Sequence, residues 1–91
     1  MIEKILAERG NRYGAFPDHA AISQGIKRVM MASPNWALLT DAQREALELI
    51  AHKIGRMLNG DVTYIDNGVD IVGYATLMVN AMREDASRDV G

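Results

Sequence analysis

The dipeptide Asn59-Gly60 constrains this chain most, because it parts two long helical patterns with a connector too short to let them separate. Upstream, Thr40-Asp-Ala-Gln43 has the hydroxyl-to-amide spacing of a capping box, which opens a helix over about Asp41 to Leu58. A glycine just past the last periodic residue closes it. Beyond the connector to Ile65, a second helix is predicted from about Asp66 to Met82. Helix connections this short favour antiparallel neighbours, so these two elements are expected to form a hairpin.

The first forty residues carry two further helical patterns. Ile2, Ile5, Leu6 and Arg9 share one face of a short helix expected to end at Gly10. A loop bearing Tyr13 and Phe16 around Gly14 follows, and Asp18 suits the N-cap of a helix running to about Met31. Pro34 stops that helix, since proline disfavours helical geometry at the residue before it. Val62 to Ile65 is too short for a strand and has no partner segment. The class is therefore all-α, four helices in one domain over residues 1–83. The polar residues 84–91 are expected to fray.

Composition narrows the function classes. Ninety-one residues with 48% hydrophobic and 24% charged side chains make an ordinary globular domain, near the lower size limit for folding alone. A net charge of −2, with Lys and Arg spread along the sequence, gives no footprint for nucleic acid. With no cysteine there is no disulfide framework and no thiolate metal site. The opening residues alternate apolar with charged, unlike a signal peptide, and no apolar run approaches a membrane span. A cytoplasmic protein without a membrane partner is expected.

On the third helix, Ala46, Leu47, Ile50, Ala51, Ile54, Met57 and Leu58 make the apolar face. Glu45, Glu48, His52, Arg56 and Asn59 form a polar stripe with Lys53 at its border. The fourth helix is apolar almost all round and is expected to be enclosed. Four helices cannot enclose it unaided, so a homo-oligomer is expected, most simply a two-fold dimer. Asp66, Asp70 and Tyr74 nonetheless recur along it at i, i+4 and i+8, with Asn67 beside them. Carboxylates on such a helix must be answered. Lys53 or Arg56 can do so as an ion pair, or a divalent cation can do so as a ligand. Glu45 and Glu48, one turn apart, supply oxygen ligands of the kind Mg²⁺ takes.

Taken together, Arg9-Gly-x-Arg-Tyr-Gly-x-Phe16, Asn35-Trp36, Glu45-Ala-Leu-Glu-x-Ile-Ala-His-Lys-Ile-Gly-Arg56, Asn59-Gly-Asp61 and Asp66-x3-Asp-Ile-Val-Gly-Tyr-Ala75 resemble small phage and prophage helical proteins of unknown function. Through its last two helices that group is similar to the MazG-like all-α nucleotide pyrophosphohydrolases. In that pattern, a Glu-x-x-Glu helix and a Glu-x-x-Asp helix hold Mg²⁺, which binds the substrate triphosphate. The resemblance implies a four-helix MazG-like bundle, in the host cell cytoplasm if phage-encoded. Glu45, Glu48 and Asp70 match three of the four acidic positions. Asn67 departs from the fourth, with Asp66 beside it.

Carried over, the likeness implies a Mg²⁺ site at Glu45, Glu48, Asp66 and Asp70, phosphate binding by Lys53 and Arg56, and nucleotide contacts from Tyr13, His52 and Tyr74. The reaction implied is hydrolysis of the α–β phosphoanhydride of a nucleoside triphosphate. Two other classes stand beside it. One is a non-catalytic protein that sequesters a nucleotide signal of host defence, favoured by the uncharged Asn67. The other is a structural or partner-binding bundle in which every acid is salt-bridged.

Overall fold

In the computed structural model, residues 1–90 are described, with side chains through Arg88. Helix α1 spans Ile2–Tyr13, α2 Phe16–Ala32, α3 Asp41–Asn59 and α4 Ile65–Val90, with a short 3-10 segment at Pro34–Leu38 between α2 and α3. Among the described residues there is no strand, and no helix is long and apolar enough to cross a membrane. The chain is all-α, and α3 and α4 pack as the expected hairpin.

The capping box at the start of α3 forms in full. The Gln43 amide N–H donates to the Thr40 hydroxyl at 3.2 Å, and the Thr40 N–H donates to the Gln43 side-chain oxygen at 2.9 Å. Thr40→Ala is expected to cost about 1 kcal/mol, read as a lower denaturant midpoint at unchanged slope. Two other boundaries differ from the sequence reading. Helix α1 runs through Gly10, because its stop is the left-handed residue Gly14 (φ 76°), whose N–H returns to the Gly10 carbonyl. Helix α2 starts at Phe16, with Pro17 in its first turn. Asp18 lies within that turn, favourably placed against the helix dipole, instead of capping it.

Helix α3 is the central element, packed against α2 and α4. Its buried positions are Ala46, Ala51 and Gly55, all small, so the neighbouring backbones approach closely. Leu47, Ile50, Ile54 and Met57 are half-buried, and Leu58 is exposed. The expectation that α4 is enclosed fails within one chain. Val69, Val72, Leu77, Val79 and Met82 are all exposed, because α3 is the one element packed extensively along α4. Helix α4 also continues to Val90, past the expected end near Met82, while Gly91 lies outside the described residues.

Candidate functional site

The two inter-helix turns lock together and place the aromatic residues. The Asn59 side-chain amide donates to the Tyr13 carbonyl at 2.9 Å and the Ala15 carbonyl at 3.1 Å. The Asp61 N–H donates to the Arg12 carbonyl at 2.6 Å. Gly60 passes so close to Arg12 and Tyr13 that a Cβ there would overlap their backbone atoms. The same holds at Gly14 against the Asn59 carbonyl. The end of α1 is thereby folded over the end of α3, bringing Arg12, Tyr13 and Phe16 to Arg56.

One turn back along α3, Gly55 makes room for α2. A Cβ on Gly55 would sit 3.1 Å from the His19 ring and 3.3 Å from Ser23 Cβ. His19, only 5% exposed, brings its Nε2 to 3.3 Å from Nδ1 of His52, with the rings edge-on. Burial, then the nearby Arg56, His19, Lys27 and Lys53, lower the His52 pKa to about 4. Burial likewise lowers that of His19, opposed by a contact with the Gly55 backbone. Both rings are neutral at pH 7, so one N–H donates to the other ring. Nδ1 of His19 and the Ser23 hydroxyl are buried with no hydrogen-bond partner among the described residues.

A cavity of about 380 Å³ opens over this pair, between α1, α2 and α3. Tyr13, Phe16, His19 and His52 give it aromatic walls, and Arg9 and Arg56 stand at its edge. An adjoining cleft of about 270 Å³ shares Arg9, Tyr13 and Arg56 and adds Arg12 and Glu8. Arg56 lies 4.2 Å from the Tyr13 ring centre and Arg12 4.8 Å from that of Tyr64. Arg12 also donates to the Tyr64 hydroxyl at 3.0 Å. Among the described residues, none of these three guanidiniums makes an ion pair. Basic residues that look scattered along the sequence are thus gathered at one place in space.

The expected site residues divide among separate places. Tyr13, His52 and Arg56 meet at the cavity. Tyr74 lies instead in a shallow groove of α4 beside Asp70 and Gly73. Lys53 is engaged by Asp70, Nζ to Oδ2 at 2.8 Å, with side chains 12% and 42% exposed. Asp70 is therefore answered by a cation, although less buried than expected. Asp66 accepts from the Tyr64 hydroxyl at 2.8 Å, which raises the tyrosine pKa. Glu45 is exposed and Glu48 half-buried on α3.

Among the described residues, no three His, Asp or Glu side chains gather as metal ligands. The hairpin register gives the reason. Lys53 faces Asp70, and Glu48 lies five positions before Lys53, so it sits about 7.5 Å farther along the axis at 1.5 Å per residue. Direct Mg²⁺ ligation needs oxygens at about 2.0–2.1 Å from one ion. Glu48 and Asp70 therefore stand at different levels of the hairpin, with Lys53 paired to the latter. Asn67 is the largest fully buried side chain among the described residues, 1% exposed, and its Nδ2 has no hydrogen-bond partner among them. A carboxylate stranded there would be far more costly than the neutral amide.

Sequence reasoning does not single out Arg9, Arg12 or His19 as site residues. The signal was present, because Arg9 and Arg12 lie one turn apart once α1 continues past Gly10. Comparison of the chain with protein families, curated proteins and solved structures finds no match.

Proposed function

We propose that this chain binds a nucleoside phosphate in the cavity between α1, α2 and α3. The observation that carries the reading is the convergence of Arg9, Arg12 and Arg56, none in an ion pair among the described residues, on an aromatic-walled cavity and its adjoining cleft. Three guanidiniums set against the single carboxylate of Glu8 leave a net positive charge at the cleft, which an anion relieves. The planar fork of arginine matches phosphate oxygens in pairs. A cavity of about 380 Å³ lies within the range of small-molecule sites. A base stacks on Phe16 or His52 at the apolar end, while the phosphates lie on the arginines. The resemblance to MazG-like proteins points to the same ligand class.

Binding without turnover is the form of this reading that the carboxylates favour. Lys53 is occupied by Asp70, and the acids stay dispersed along the hairpin. Any Mg²⁺ then arrives with the nucleotide, as a counter-ion of its phosphates.

Calorimetric titration of the four ribonucleoside triphosphates tests the proposal. At least one is expected to bind, and Arg56→Gln is expected to weaken it about 10- to 100-fold, the worth of one charge-assisted hydrogen bond. Absence of heat with all four at millimolar concentration overturns it. Release of pyrophosphate in the presence of Mg²⁺ would replace the binding reading by the hydrolytic one.

A further inference from the structure

Helix α4 carries on its outer side a largely apolar stripe, closed by Arg83, that no described residue of the chain covers. Ile65, Val69, Val72, Thr76, Val79 and Arg83 follow one another at alternating spacings of four and three. All six are exposed, Val72 at 66%. This is the heptad spacing of a helix–helix seam. It lies opposite the face that meets α3, where Asn67, Asp70, Ile71, Tyr74 and Met78 are turned inward. Thr76 fits such a seam, since its hydroxyl donates to the Val72 carbonyl of its own helix at 2.8 Å and is satisfied there.

The chain exposes more surface than a compact protein of its mass. A folded monomer of 10.0 kDa exposes roughly 5,200 Å², whereas this chain exposes 6491 Å². Its radius of gyration is 15.8 Å, against about 12 Å for a compact chain of this length. The excess, roughly 1,300 Å², exceeds the ~800 Å² that each partner of a standard interface buries. Among the described residues, the buried hydrophobic ones are two alanines, Ala46 and Ala51. A core that small leaves most of the hydrophobic drive unspent.

We infer that the stripe pairs with the same stripe of a second copy, the two α4 helices running antiparallel. Charge selects the direction. In the parallel arrangement Arg83 meets its own counterpart. Centred on Tyr74, the antiparallel arrangement brings Arg83 level with Ile65 and Asp66 of the partner subunit, an opposite charge. One two-fold axis then closes the assembly, as an isologous interface requires. The seam faces away from α3, so the cavity between α1, α2 and α3 remains open in the dimer.

The absence of cysteine makes the test direct. Light scattering of the full chain is expected to give twice its 10.0 kDa, and Val72→Asp a single-chain mass or an unfolded chain. Cross-linking decides the geometry whichever of these Val72→Asp gives. Under mild oxidation, a mixture of Ile65→Cys and Arg83→Cys chains is expected to form the mixed disulfide, while Arg83→Cys alone does not cross-link. A single-chain mass for the unaltered protein from micromolar to millimolar concentration overturns the dimer. Ready cross-linking of Arg83→Cys with itself overturns the antiparallel pairing.

Discussion

Gly60→Ala is expected to destabilise the fold by about 3 kcal/mol or more, the combined effect of steric strain and three hydrogen bonds at roughly 1 kcal/mol each. The added methyl would overlap the Arg12 carbonyl and the Tyr13 Cα, which are backbone atoms and cannot swing aside. The end of α1 must then lift from α3. That breaks the Asp61-to-Arg12 bond and both bonds from the Asn59 amide. Gly68→Ala is the control, because nothing lies within 4 Å of its added Cβ, and alanine there should gain up to about 1 kcal/mol of helix propensity. Denaturant midpoints that fall equally for the two variants would defeat the argument.

Acid is expected to weaken the fold in a window set by the histidine pair. The folded His52 pKa is about 4, below the ordinary 6.5, and that of His19 is also lowered. Between these values the unfolded chain binds protons that the folded chain refuses. The pair's contribution is therefore complete above pH 6.5 and is lost as the pH falls towards 4. His52 alone accounts for about 1–2 kcal/mol of the loss, after allowance for solvent screening. Asp61 acts later. Hydrogen bonds from Thr63 lower its pKa below 3.8, so its share is present above that value and disappears under more acidic conditions. Urea unfolding from pH 7.5 to 4.5 should show a shallower slope for His52→Gln than for the unaltered chain. Parallel slopes would remove the histidine pair as the cause.

What the sequence discloses here follows the range of the interactions. The start of α3 is legible because the Thr40–Gln43 box is completed within four residues. The Lys53–Asp70 pair is legible because a carboxylate on an apolar helix must be answered by something near. Gly10 and Gly14 are harder to rank. Either glycine can end a helix, and the choice falls to Gly14 because the Asn59 turn lies against it. The cavity was hidden for the same reason. Arg9, Arg12 and Arg56 become neighbours through a contact between turns more than forty residues apart. Apolar periodicity likewise shows that α4 wants cover without saying which surface supplies it.

Helix α1 has no buried residue and is fastened to the rest chiefly at its C-terminal turn. Elements held this lightly open at far lower free energy than the whole domain. Yet Leu6, Arg9, Gly10 and Tyr13 of this helix form one wall of the cavity. The wall is therefore an equilibrium species, and an occupant touching it draws on the same free energy that keeps α1 docked. Occupancy and local order are two readings of one linkage, so amide exchange along residues 2–13 is the natural gauge of whether the cavity is filled.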